Sequence, residues 1–192
     1  MYEGRLLPEP DRELQCVSSP GITGRGLRFI PVEHENNRQR SSEEALVIAE
    51  QAALLLHGTV TDFNNTTRQL LPSDVIIVTP YNAQVRCIRE VLHPRGGGCE
   101  SIEVGTVDRF QGREAHVVFF STAASTIEDA PRGIGFLFDR NRFNVAISRA
   151  RSVAVFVGSP RLLTAPCSTV ENARSMNAIL SFIEQCGSDG HS

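Results

Sequence analysis

GTVDRFQGREAHVVFFST, running from Gly105 to Thr122, is the stretch that decides the fold. It reads as the end of one buried strand, a polar turn carrying Gln111, Gly112 and Glu114, and a second strand. The run HVVFFST has no polar alternation, the mark of a strand covered on both faces, as in a parallel sheet. The same character recurs outward from it in LRFIPVE (27–33), VIIVT (75–79), SIEVGT (101–106) and SVAVFVG (152–158). Helical spacing separates these runs. Ala45, Ile48, Ala49, Ala52, Leu55 and Leu56 repeat at helical intervals behind a capping-box pair, Ser41 and Glu44. Val85, Ile88, Val91 and Leu92 mark a helix over 82–93, stopped by Pro94. Phe143, Ala146, Ile147 and Ala150 mark another, ending in arginines, and Ala173, Met176, Leu180 and Ile183 a last one over 170–185. Strands alternating with helices predict an α/β fold with a mainly parallel sheet and helices on both faces.

The chain has 192 residues, enough for one domain with a full core. That domain is expected over 27–186, after an irregular lead-in at 1–26 and before a disordered tail at 187–192. Hydrophobic residues are 41% and charged residues 21%, ordinary values that suggest neither disorder nor a membrane class. No apolar run approaches the roughly 20 residues a membrane-spanning helix needs. The first residues lack the basic-then-apolar order of a secretory signal. A cytoplasmic location is expected, with no membrane partner. The five cysteines are scattered without metal-ligand spacing, so no metal site is expected.

The chain contains no lysine; all 19 of its basic residues are arginine, in a net charge of only -3. A phosphate loop of the form GxxxxGK[ST] therefore cannot be present. The turn after Gly105 nevertheless has the chemistry of half a nucleotide site. A glycine at 112 lets backbone approach a phosphate, while Gln111 and Glu114 can hydrogen-bond phosphate or ribose hydroxyls. Taken alone, such a turn is ordinary loop chemistry. Arg149 and Arg151, read as the last residues of a helix, would by themselves complement the helix dipole. An arginine can instead stabilise the charge that spreads over a transferred phosphoryl group, using its planar fork of donors.

Taken together, these strings resemble the second RecA-like domain of superfamily 1 helicases. The similarity is to the 1B branch, an AAA-type helicase family that includes RNA-surveillance and Okazaki-flap helicases. VTPYNAQVR (78–86) looks like its motif IV, VGTVDRFQGRE (104–114) like motif V, and RFNVAISRAR (142–151) like motif VI. The resemblance covers nearly the whole chain, with SSEEALVIAE (41–50) in its expected place. It implies a three-layer RecA-like P-loop NTPase fold lacking its own Walker A. It implies ATP as the cofactor, with Mg2+ held mainly by a first RecA-like domain of the same polypeptide.

Residue by residue, Arg149 would be the arginine finger, Glu114 would reach the ribose, and Gln111 and Gly112 would lie near the γ-phosphate. Thr106 and Thr79 would hold phosphates of single-stranded DNA or RNA, and Tyr81 would stack on a base or pack in the core. Arg142, Asn144 and Arg151 would hold the motif helix against the turn. The family's arginine-bearing QYRMHP-like segment would fall just before Tyr2, and the chain begins too late to contain it. The segment CSTVENARSMNAILSFIE (167–184) also resembles bacterial proteins in which such a helicase follows a RecB-like nuclease. A fused nuclease domain and a bacterial cytoplasm or nucleoid are implied by that segment.

The expected function is the C-terminal motor half of an ATP-dependent helicase or translocase, inactive in isolation, with 5' to 3' travel implied by the branch. The rival reading is a degenerate RecA-like module that binds nucleic acid or protein without hydrolysis. The presence of both Glu114 and Arg149 argues against it. A nuclease of the restriction-like kind would use a lysine among its carboxylates, and there is none.

Overall fold

The computed structural model describes residues 15–110, 112–131 and 149–163. Its main sheet has five strands: β3 (Gly26–Pro31), β6 (Val75–Val78), β7 (Glu103–Gly105), β8 (Ala115–Ser121) and β9 (Ala150–Gly158). Their order is β3-β9-β8-β6-β7, and every neighbouring pair is parallel. The long central strands β8 and β9 are buried along nearly their whole length, as their unbroken apolar runs require.

Side-chain alternation divides the core between the two faces of this sheet. Val75, Ile77, Val104, Val117, Phe119, Val153 and Val155 face α1 (Ser42–Leu56) and α2 (Asn82–Leu92). Ile76, Val78, Val118, Phe120 and Phe156 face the opposite side, where Val107, Phe110, Ala124, Ala130 and Leu162 cover them. Three alanines on the buried stripe of α1, each fully enclosed, let the helix lie close to the sheet. The result is a three-layer α/β fold with a parallel centre.

Three local expectations are corrected. The lead-in is not irregular throughout, and the segment between α1 and β6 pairs with it. They hold β1 (Cys16–Ser18), β2 (Thr23–Gly24), β4 (Thr59–Thr61) and β5 (Thr67–Gln69), joined as a small antiparallel sheet in the order β2-β1-β4-β5. These strands are two or three residues long, and β5 is exposed on both faces, so no period-2 pattern can register. The capping box is only half made. Ser41 Oγ accepts the Glu44 N–H at 3.1 Å, but the Glu44 side chain turns away to the end of β8. Finally, β9 starts at Ala150, so Arg151 lies on a strand and not at a helix terminus. Backbone pairing with Ala115 draws it there. Ala150, expected in the motif helix, is likewise on β9; the rest of that helix, residues 143–148, and the last helix at 170–185 fall outside the described residues.

Gly58 links α1 to β4 and sets how closely the small sheet approaches the helix. A Cβ there would lie 2.4 Å from the Ser18 carbonyl oxygen and 2.9 Å from Ser19 Cα, both main-chain atoms that cannot swing aside. Gly58→Ala is expected to cost about 1–3 kcal/mol, the range for overpacking. Urea denaturation of the purified chain measures it, and an unchanged midpoint would mean that the β1–β4 contact is not part of the cooperative core.

Candidate functional site

Parallel strands place all of their carboxyl ends on one edge of a sheet and all of their amino ends on the other. Thr79 follows β6 and Thr106 follows β7, so both lie at the carboxyl edge. They are adjacent there, since the Thr79 N–H donates to the Gly105 carbonyl at 3.1 Å. Glu114 precedes β8 and Arg149 precedes β9, so these two lie at the amino edge. They are neighbours as well: Ala115 pairs with Ala150, and the Ala115 N–H donates to the Arg149 carbonyl at 3.0 Å. A strand of seven residues separates the two edges by roughly 20 Å.

Ligand contacts in such sheets are expected at the carboxyl ends, and the structure divides the candidates instead. The cause is the connection from β7 to β8, which must return to the amino edge before a parallel strand can begin. Residues 106–114 make that return, with Val107 and Phe110 buried against the sheet in a short 3-10 turn (Val107–Phe110). Gly112 closes the turn at φ +78°, a left-handed conformation natural to glycine. Of the other candidates, Gln111, Arg142 and Asn144 fall outside the described residues.

At the amino edge a register shift between Ala115 and Val117 puts one extra residue on β9. Consecutive β9 side chains, Arg151 and Ser152, thereby reach alternate β8 partners. Arg151 Nε donates to Glu114 Oε2 at 3.0 Å, and Ser152 Oγ lies 3.1 Å from His116 Nδ1. Arg151 thus holds the turn through Glu114, but from a strand. Next to this pair, Arg113 Nη1 donates to Glu103 Oε2 at 2.7 Å. Arg149 is half-buried, and its Nε is enclosed with no acceptor among the described residues. A buried donor left unpaired is uncommon enough to require an explanation.

The opposite edge is more deeply covered. Thr79 is wholly buried, and its hydroxyl has no hydrogen-bond partner among the described residues. Tyr81 is 6% exposed, packed as a core residue at the N-cap of α2. Thr106 is half-buried at the rim. Beneath them lies a polar cluster centred on Glu44, which the sequence marks only as a helix cap. The Glu44 carboxyl accepts from Ser121 Oγ (2.6 Å), Thr122 Oγ1 (3.0 Å) and the Ala123 N–H (3.0 and 3.1 Å), and lies 2.9 Å from His34 Nε2.

Gln84 binds the main chain of Ser41 at both its N–H and its carbonyl, and donates to Ser121 Oγ. A sequence signal for both residues exists: Glu44 and Gln84 each stand four residues before a buried isoleucine, Ile48 and Ile88, on an otherwise apolar stripe. Ser125, His34 and Glu44 are also bonded in series, the order of a nucleophile, a base and its orienter. All three are buried, and Ser125 Oγ also accepts the Asn37 N–H, so the series is sealed from any substrate.

A three-layer parallel α/β fold with its polar candidates on two opposed edges defines the class, a RecA-like domain. Residues 1–161 match the sequence profile of a family described as an AAA domain, and the chain belongs to that family. It is 37% identical over 179 residues to the probable RNA helicase armi of Drosophila melanogaster, covering 84% of this chain and 15% of that protein. It is 36% identical over 128 residues to the RNA helicase Mov10l1 of Homo sapiens, covering 65% and 10%. With the DNA polymerase alpha-associated DNA helicase A of Schizosaccharomyces pombe, identity is 41% over 85 residues, covering 44% and 12%. The chain is a helicase-type domain that spans only 10 to 15% of the length of these relatives. No helix among the described residues is long and apolar enough to cross a membrane.

Two groups near the amino edge give the fold a definite pH response. Burial holds the His116 imidazole below its ordinary pKa of 6.5, with Arg68 and Arg151 acting in the same direction and Asp74 against it. For Asp74, burial alone would raise the carboxyl, but the bonds from Arg68 and from the Leu71 N–H hold it below the usual value. A depressed histidine binds more protons unfolded than folded, so its contribution is complete above about 6.5 and is lost as pH falls through the folded value. The Asp74 contribution is lost only at lower pH, below the ordinary 3.8. Thermal melts between pH 7 and 5 are expected to show falling stability. In His116→Gln that slope should be shallower, and an equal slope would exclude His116 as its source.

Proposed function

We propose that this chain is the C-terminal motor half of an ATP-dependent superfamily 1 helicase or translocase acting on single-stranded nucleic acid. In this reading it supplies motifs IV, V and VI to an ATP site shared with a first RecA-like domain. The observation that carries the reading is the adjacency of the segments bearing Glu114 and Arg149 at the amino edge, where the Ala115 N–H donates to the Arg149 carbonyl, with Arg149 Nε enclosed and lacking an acceptor among the described residues. An enclosed guanidinium Nε without an acceptor among the described residues, on a chain without any phosphate loop, is suited to a nucleotide cradled elsewhere.

Arg149 would hold the γ-phosphate oxygens and stabilise the charge that develops on them. Glu114 would accept hydrogen bonds from the ribose hydroxyls, and Arg151 would keep that carboxylate oriented. Gly112, and Gln111 beside it, would allow backbone to approach the phosphates. The bound ATP–Mg2+ supplies the anhydride that is cleaved, with the metal held mainly by the first domain. At the other edge, Thr106 and Thr79 would hold strand phosphates. A Thr79 hydroxyl buried without a partner among the described residues is a group that gains from an acceptor brought to that edge.

Separate edges for nucleotide and strand fit a motor, because each state of the nucleotide cleft can carry a different strand affinity. A nuclease fused upstream and a bacterial setting belong to the same proposal, as does the choice between DNA and RNA. The relatives named as RNA helicases favour an RNA strand, and the one named as a DNA helicase favours DNA.

ATP hydrolysis by the full-length parent, with and without single-stranded DNA or RNA, tests the reading. Strand-stimulated turnover in wild type should fall by about 10³-fold or more in Arg149→Ala, the scale of an arginine finger. Turnover that is unstimulated, or unaltered by the substitution, would favour a non-hydrolytic binding module. Thr106→Ala should weaken strand binding while the KM for ATP stays within about twofold; a selective loss of ATP affinity would remove Thr106 from the strand-holding edge.

A further inference from the structure

The polar cluster beneath the carboxyl edge joins three separate elements, α1, α2 and the exit of β8, at the place where a strand would be held. Glu44, in the first turn of α1, takes up the hydroxyls of Ser121 and Thr122 and the N–H of Ala123 at the exit of β8. Ala123 has φ +63°, a left-handed conformation that non-glycine residues rarely adopt. It persists because its N–H is bound by both oxygens of Glu44.

Gln84, in the first turn of α2, is wholly buried. Its Oε1 accepts the Ser41 N–H at 2.7 Å, while its Nε2 donates to the Ser41 carbonyl at 3.0 Å and to Ser121 Oγ at 3.1 Å. Only an amide fits that set, since one end must accept and the other must donate twice. Ser121 Oγ in turn donates to Glu44, so the two side chains form one continuous array. The Gln84 N–H donates to the Tyr81 carbonyl at 3.0 Å, fixing the turn that holds Thr79 and Tyr81 to the start of α2. The Thr79 N–H bonds to Gly105 and so ties that turn to the one bearing Thr106.

We propose that Glu44 and Gln84 are positioning residues for the strand-holding edge. They lock the turn after β6 and the exit of β8 into one frame, so that Thr79 and Thr106 are presented at a fixed spacing. This inference rests on the helicase-half reading above. Loosening the array should relax the grip on nucleic acid while leaving the nucleotide residues, at the far edge, in place.

The test uses the full-length parent with fluorescein-labelled single-stranded 20-mers of thymidylate and uridylate as probes, read by anisotropy beside strand-independent ATP hydrolysis. Gln84→Glu keeps the shape but replaces the donating end with an oxygen facing the Ser41 carbonyl. Ser121→Ala is the milder variant, deleting the single hydroxyl that bridges Gln84 and Glu44. Each variant is first melted to establish that it is folded.

Oligonucleotide affinity is expected to fall about tenfold or more in Gln84→Glu and about threefold or more in Ser121→Ala. Strand-independent turnover and the KM for ATP should stay within about twofold of wild type. Unchanged oligonucleotide affinity in a folded Ser121→Ala or Gln84→Glu overturns the proposal. So does a parallel loss of affinity and hydrolysis, which marks a merely structural role. A wild-type parent that binds neither probe and hydrolyses no ATP overturns the helicase-half reading and the proposal with it, and is distinguished by the silence of the unmodified protein.

Discussion

Parallel pairing does not allow a strand to be followed directly by its neighbour; the chain must first travel back across the sheet. In the β6–β7 unit that return is made by α2, a helix long enough to cover one face. Between β7 and β8 the return is made by residues 106–114 alone, a segment too short for a helix of useful length. It crosses instead with a 3-10 turn over Val107–Phe110, followed by a second turn in which the Arg113 N–H donates to the Phe110 carbonyl, and Val107 and Phe110 are buried against the sheet. That one short crossing begins at Thr106 on one edge and finishes at Glu114 on the other. It is a physical strap between the two candidate sites, anchored to the core by Val107 and Phe110.

The two edges differ in how firmly they are built. At the carboxyl edge, removing Glu44 or Gln84 would strand several buried donors and acceptors, and an unpaired buried polar group costs about 1–3 kcal/mol each. Such an array is cooperative and holds one geometry. At the amino edge, the Glu114–Arg151 pair leaves about half of each side chain in solvent, at 40% and 50% exposure. Ion pairs so placed contribute about 0–1 kcal/mol, which makes them easy to exchange for another partner. The bulge on β9 adds to that freedom, because a ladder that is locally interrupted yields more readily than a regular one.

Much of this fold was legible because its core strands are long apolar runs without alternation, which can mean little other than a parallel centre. The helices over 42–56 and 82–92 were legible from their apolar stripes. The small antiparallel sheet was not, since Cys16–Ser18 and Thr59–Thr61 are too short to display a period and Thr67–Gln69 buries neither face. The site was legible in part. Motif strings single out Glu114, Arg149 and Thr106 as candidates, and the parallel register of β8 against β9 puts Glu114 and Arg149 at the edge opposite Thr106. Arg151 was misplaced for a related reason. A run of helix-forming residues continues through Ala150 and Arg151, and backbone pairing with β8 overrides it. Glu44 reads in sequence as an ordinary cap because the partner that claims its side chain, the β8 exit, lies 77 to 79 positions away.

A stiff carboxyl edge and an exchangeable amino edge assign different mechanical duties within the proposed motor. A nucleotide site that is completed by another domain must open and close, so its groups should be held by contacts worth little in the open state. The Glu114–Arg151 pair meets that condition in the proposed motor: half-exposed, it would orient the carboxylate while costing little to adjust as the site opens and closes. A strand-holding edge has the contrary requirement, because phosphates of a polymer recur at fixed spacing and are matched only by a frame that does not relax. Ala123, held in a left-handed conformation by a buried carboxyl group, belongs to such a frame. In that motor the strap of residues 106–114 would join a part that moves to a part that does not, through its buried residues Val107 and Phe110.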